Sequence, residues 1–282
     1  MKDTKTSTTS MRCMRCTKGN DAFNKKLSIS IILVIFFLII PIRVWAYDSR
    51  LLWLVNSEHT LDFSYHPEKL IHVYGYPIHH EAGEAFLKMQ DEMKAAGVKN
   101  LRLQSAYRPY GYQRIIFDEK VSSLRGLGLA EDEAKVLAAR SVAMPGSSEH
   151  QTGLAVDVSL DGQLSGHFGT TEAGVWLQNN CDKYGFVVRY PKGKTPKTQI
   201  IYEPWHLRYV GTPHASYMAE NGLCLEEYIA YVKKSGMILY WLDDKSYYKV
   251  SFSQNKPESQ HSSLGPDGRA GYIITELKDF RR

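Results

Sequence analysis

The run Leu154-Ala-Val-Asp-Val158 emerges directly from Ser148-Glu-His-Gln-Thr-Gly153, the densest polar cluster in the chain, and this junction constrains the fold more than any other stretch. A short apolar run behind a glycine reads as a strand, and Met144-Pro145-Gly146 breaks the pattern that precedes it. Function is expected at that junction. Around it, helices are predicted over 84–96, 110–123, 131–140, 172–184, 214–220 and 225–233. In the first of these, Phe86, Met89 and Met93 recur at spacings of three and four and mark a core face. The acids Glu131, Asp132 and Glu133 cluster where a helix dipole favours them. Strands are predicted over 100–104, 154–158, 186–189 and 200–210, and the segment 47–82, rich in Tyr, His and Pro, reads as an irregular arm. Strands and helices mix without regular βαβ alternation, so the fold class is α+β: a small antiparallel sheet carrying the site, flanked by helices. From Met237 the character changes, and runs at 237–242, 247–252 and 271–277, joined by a polar loop over 253–269, predict a short C-terminal β appendage.

The net charge of +5 in 282 residues belongs to the leader. Residues 1–46 hold eight of the 35 Lys and Arg but only two of the 30 Asp and Glu, so the remainder is close to neutral. A near-neutral body lacks the concentrated basic face that phosphate binding needs, which excludes nucleic acid as the partner. After Lys25-Lys26 the run 27–42 is almost wholly apolar, at the boundary between a signal-peptide core and a membrane span. Small residues at Val44 and Ala46 permit cleavage before Tyr47; retained, the same run is an anchor. Either way the basic flank stays inside and the body goes out. The expected organisation is a cytoplasmic basic segment plus signal peptide or membrane anchor over 1–46, a catalytic domain over 47–235 and a β-rich extension over 236–282. Monomer is the expected state.

Of the four cysteines, Cys13 and Cys16 form a C-x-x-C without the companion pair of a four-ligand metal site, and read as incidental. Cys181 and Cys224 lie in the exported body, where they either form a bridge or remain two small buried thiols.

Three segments carry chemistry: Ser105-Ala-Tyr-Arg-Pro109, Ser148 to Asp157, and Glu203-Pro-Trp-His206. Catalytic zinc takes three nitrogen or oxygen ligands and keeps a position for water, a set that His150, Asp157 and His206 supply. Glu203, three residues before His206, can stand near the metal without binding it and take a proton from attacking water. Arg108 offers paired donors to a substrate carboxylate or an oxyanion, with an ordinary surface ion pair as its bland alternative. Trp205 reads as a wall of the site, its indole having one donor. His79, His80, His167, His214 and His261 read as surface or structural residues, since none has a companion at ligand spacing.

These motifs resemble the VanY-type D-alanyl-D-alanine carboxypeptidases, a zinc family related to the VanX dipeptidases and to murein endopeptidases. The pattern S-x-H-x-x-G-x-A-x-D is matched by Ser148, His150, Gly153, Ala155 and Asp157, and E-x-W-H by Glu203, Trp205 and His206. Further agreement comes from Arg189 to Lys194 and Tyr202 to Gly211. The resemblance spans roughly residues 50–235. It implies one zinc ion on His150, Asp157 and His206, base catalysis by Glu203, and a substrate or transition-state role for Arg108. Ser148 and Gln113 match polar positions of the family's substrate cleft, although a capping Ser and an exposed helical Gln are equally good readings of those two residues. The implied partner is a peptidoglycan stem peptide or lipid-linked precursor, shortened by its terminal D-alanine, which lowers the grip of vancomycin-type glycopeptides.

Three alternatives stay open on sequence alone. The bond cleaved changes if the enzyme is an L,D-carboxypeptidase or a D,D-dipeptidase. A non-catalytic zinc domain that binds peptidoglycan is disfavoured by the spare carboxylate of Glu203, which a closed structural site does not need. Residues 237–282 are otherwise a separate partner-binding module.

Overall fold

The computed structural model describes residues 50–258, 261–265 and 270–279. The expected leader over 1–46, with Cys13 and Cys16, lies outside the described residues, which themselves belong to one compact unit.

The chain first runs irregularly, with Leu51, Leu52, Trp53 and Val55 buried, and then forms a hairpin of β1 (Leu70–Val73) and β2 (Tyr76–His79). This corrects the irregular arm expected over 47–82. The turn residues Tyr74 and Gly75 have φ of 51° and 86°, the left-handed pair that a tight hairpin turn requires. A tyrosine in the first of those positions is an uncommon signal, which is why the hairpin was illegible. The Tyr74 hydroxyl donates to Gln90 Oε1 at 2.5 Å and ties the turn to the next helix.

Helix α1 (His80–Ala95) starts four residues before the predicted helix and buries Ala82, Phe86, Met89 and Met93 on one face. Each of the three large side chains contributes on the order of 2 kcal/mol of transfer free energy. The same core receives Leu103 from β3 (Arg102–Ser105), Val156 and Val158 from β4 (Ala155–Ser159), and Phe186 from β5 (Phe186–Tyr190). Helices α2 (Tyr110–Gly126) and α3 (Glu131–Ala138) pair through Phe117, Val121, Leu124, Ala134 and Ala138. Helix α4 (Glu172–Asn180) is capped by Thr171, whose hydroxyl accepts from the Gly174 amide. One turn, α5 (Thr195–Thr198), precedes β6 (Glu203–Tyr209).

The central sheet has the order β3-β4-β6-β5 and is antiparallel throughout, as expected. Strand β6 begins at Glu203, later than the predicted 200. Pro204 removes one ladder donor there, beside a register shift between Val188 and Tyr190.

A second core is shared by α6 (His214–Glu220), α7 (Leu225–Ser235) and the C-terminal sheet. That sheet has the order β7-β8-β10-β9, built from β7 (Met237–Trp241), β8 (Ser246–Ser253), β9 (His261–Ser263) and β10 (Tyr272–Asp279). Strand β9 falls inside the stretch expected to be a polar loop. Ile238, Val250 and Ile273 pack with Tyr228, Ile229 and Val232 of α7, so the C-terminal strands complete a core. Cys181 and Cys224 are both free and buried, which settles their alternatives in favour of two thiols.

Candidate active site

Strands β3, β4 and β6 lie side by side, and Asp157 is in register with Ser105 on one neighbour and His206 on the other. Cross-strand partners share a face of a sheet, so pairing alone brings these side chains together. His150 arrives from the short 3-10 turn Glu149–Thr152 that precedes β4. Gly153 ends that turn at φ 73°, and a Cβ there would meet His79 N at 3.1 Å, so the bend between His150 and Asp157 requires glycine. One donor atom from each of His150, Asp157 and His206 lies within 4.8 Å of the others, and all three residues are buried.

The two imidazoles present opposite nitrogens. His150 Nδ1 lies 2.6 Å from the Ala106 carbonyl oxygen, which only accepts, so the proton sits on Nδ1 and the Nε2 lone pair faces the cluster. Arg108 agrees with that assignment by donating from Nη2 to His150 Nε2 at 2.9 Å. His206 instead turns Nδ1 inward, 3.0 Å from Asp157 Oδ1 and 4.0 Å from Glu203 Oε2.

Arg108 is held from several sides. Its Nε donates to Ser105 Oγ at 2.7 Å and its Nη1 to Gln113 Oε1 at 3.2 Å, while Nη2 also contacts Asp157. Gln113 is buried rather than exposed, and its Nε2 donates to the Ala143 carbonyl at 2.8 Å. It touches the cleft, but its amide is engaged at both ends in fixing Arg108. Ser148 is 3% exposed, occupies the N-cap of the 3-10 turn without a side-chain capping bond, and does not line the cleft.

Burial dominates the electrostatics. It pushes the Glu203 carboxyl up to about 8, the pull of His206 in the other direction being smaller. Burial, followed by the Arg108 charge, pushes His150 down to about 4. Asp157 also pays for burial, but His150 and Arg108 together hold its carboxyl well below the usual range. Burial opposes charge on His206 as well, and the carboxylates of Asp157, Glu149 and Glu203 outweigh it, lifting the imidazole to about 9.

The donor chemistry fits a metal cation. Two nitrogens and one carboxylate match a catalytic zinc set that keeps a coordination position for solvent or substrate. The Arg108 guanidinium already rests against His150 Nε2 and Asp157, so positive charge is what these groups accept. The cleft beside the cluster has a volume of about 510 Å³, with Tyr112, Val142, Leu164, Ile201 and Trp205 among its walls. Trp205 is thus a wall, as expected.

Residues that sequence reasoning missed are Tyr190 and Glu149. The Tyr190 ring lies 5.0 Å from that of His206, and its pairing with Glu203 across β5 and β6 was invisible without the register. Glu149 is wholly buried between two quoted motif residues; an acid in that position was the available signal.

A buried His-Asp-His cluster with a free glutamate beside it, on a small antiparallel sheet, defines a zinc-dependent peptidase. The VanY family, described as D-alanyl-D-alanine carboxypeptidase, matches residues 76–212. YodJ of Bacillus subtilis (strain 168), named as a carboxypeptidase, is 42% identical over 199 residues, which is 66% of this chain and 69% of that protein. The structure of the vancomycin-resistance D,D-pentapeptidase VanY from a VanB-type cassette, a Glu-to-Ala mutant in complex with Zn(II), is similar with a TM-score of 0.57 and 40% identity. That similarity covers 63% of this chain and 98% of the other. The LD-carboxypeptidase LdcB is equally similar at a TM-score of 0.57 and 40% identity, covering 64% of this chain and 86% of the other. The chain belongs to the VanY family.

Proposed function

We propose that this enzyme is a zinc-dependent D,D-carboxypeptidase that removes the terminal D-alanine from peptidoglycan stem pentapeptides or their lipid-linked precursors outside the cytoplasm. The observation that carries the reading is Glu203 standing beside, and not within, the cluster of His150, Asp157 and His206. Those three residues would hold the metal. When bound, zinc supplies a Lewis acid that polarises the scissile carbonyl and makes water a better nucleophile at neutral pH.

Glu203 takes a proton from water as its oxygen bonds to the carbonyl carbon, and gives that proton to the departing amine as the C–N bond breaks. Arg108, fixed by Ser105 and Gln113, offers its guanidinium to the substrate carboxylate or to the oxygen that gains charge. Gln113 serves the substrate through Arg108; no contact is assigned to Ser148. The apolar walls suit a small methyl side chain. Removal of the terminal D-alanine would lower vancomycin binding, the consequence that the resistance context of the VanY relative supports. Residues 1–46 deliver the body across the membrane in this reading, as signal or anchor. Among the described residues no helix is long and apolar enough to cross a membrane.

L,D-carboxypeptidase activity is the second reading, favoured by the equal similarity to LdcB. A pentapeptide and the corresponding tetrapeptide, incubated separately with zinc-loaded and chelator-treated protein and followed by mass, separate the two. Loss of one alanine from the pentapeptide, abolished by chelation and restored by zinc, is expected; loss from the tetrapeptide alone overturns the D,D assignment.

A further inference from the structure

Beneath His206 lies a buried ionic network that the proposed chemistry does not use. Arg189 Nε donates to Glu149 Oε1 at 2.8 Å, and its two terminal nitrogens grip Glu226 at 2.9 and 2.6 Å. Arg208 Nη1 approaches the same Glu149 Oε1 at 2.8 Å as an ion pair without hydrogen-bond alignment. Both cations therefore fall on one carboxylate oxygen. The other oxygen, Oε2, is buried without a hydrogen-bond partner and faces His206 Nε2 at 3.9 Å. That nitrogen is likewise buried and without a partner.

Two complementary orphan atoms, each fully desolvated and separated by about one ångström more than a hydrogen bond, cost free energy unless they meet. A hydrogen bond between them needs the two atoms to approach by about one ångström. With Nε2 directed at Glu149, Nδ1 is the nitrogen left to face a metal, which would displace the proton that Nδ1 shares with Asp157 Oδ1 at 3.0 Å. The Ala106 carbonyl enforces the opposite choice on His150, where Nδ1 carries the hydrogen.

We propose that Glu149 is a positioning residue for the metal: it fixes His206 as the Nε2–H tautomer and thereby selects Nδ1 as the ligating atom. Arg189 and Arg208 occupy its far oxygen, so that Oε2 is left for the imidazole. The inference rests on the ligand assignment made above, and it extends the site from one layer of residues to two.

The test uses the full-length zinc-loaded protein labelled with 15N in its histidines. Zinc stoichiometry is measured first; a protein that binds no zinc refutes the ligand assignment itself. With zinc bound, the spectrum is expected to show His206 protonated at Nε2 and metallated at Nδ1, and His150 the reverse. A spectrum in which His206 binds through Nε2 overturns the role of Glu149 while leaving the ligand set intact. In a second arm, Glu149→Gln keeps the size of the side chain but can turn an NH2 toward His206 and favour the wrong tautomer. Its zinc affinity, measured by chelator competition at fixed pH, is expected to fall about 10- to 100-fold. A purely structural role would lower the melting temperature of the metal-free variant and leave zinc affinity unchanged. If the variant does not fold, the spectrum of the unmodified protein still decides.

Discussion

Glu203 Oε2 stands 4.0 Å from His206 Nδ1, beside the cluster of His150, Asp157 and His206 and outside it. Replacing Glu203 by Gln preserves shape and removes the base. Zinc content measured by metal analysis is expected to stay at the unmodified level, while kcat falls about 10²- to 10⁴-fold. Full turnover in that variant would falsify the assignment of the base.

Arg108→Lys retains the charge but loses the planar fork that Ser105 and Gln113 hold in place. A decrease in kcat/KM of about 10²- to 10³-fold is expected, the size seen when one transition-state donor is lost. Zinc stoichiometry should not change. If steady-state kinetics show an effect below threefold, the guanidinium geometry is irrelevant to catalysis.

His214 gives a pH dependence of stability away from the cleft. Its Nδ1 lies 2.7 Å from the Tyr228 hydroxyl and its Nε2 lies 3.2 Å from Thr275 Oγ1 on the C-terminal sheet. Burial pushes its pKa down to about 3 from an ordinary 6.5. The unfolded chain then binds a proton between those two values that the folded chain refuses. The stability it contributes is whole above pH 6.5 and is lost as pH falls toward 3. His214→Asn should flatten the melting temperature between pH 7 and pH 4 relative to the unmodified protein, whatever the offset between the two curves. Parallel curves would show that His214 takes up no proton on unfolding.

Gly153→Ala places a Cβ on a left-handed residue, 3.1 Å from the His79 amide nitrogen. A cost of about 1–3 kcal/mol is expected, read as a lowered melting temperature in the metal-free protein. Because Gly153 separates His150 from Asp157, weaker zinc retention in chelator competition should accompany it. An unchanged melting temperature would mean that the bend tolerates a side chain.

The convergence of His150, Asp157 and His206 was readable because they and Glu203 sit in two short, dense motifs, and chemistry restricts what such residue types can do together. The α1 core face was equally readable, since Phe86, Met89 and Met93 repeat at helical spacing. The β1–β2 hairpin was not, because its turn depends on the conformation of Tyr74 and not on a sequence that favours it. Nor was the work of Glu149 or Gln113. Glu149 owes its role to Arg189 and Arg208, which come from different strands. Gln113 owes its own to a five-residue reach back to Arg108 and a longer one to Ala143. Partners of that kind are supplied by tertiary pairing, on which local pattern is silent.

Asp157 and His206 face one another as register partners on β4 and β6. A slip of one position along either strand would carry one of these two side chains to the opposite face of the sheet and dissolve the cluster. Metal uptake is therefore a proofreader of strand alignment: a molecule can be compact and helical and still fail to take zinc if the two strands have mated out of step. In refolded preparations, the fraction that retains the ion counts the correctly zipped molecules.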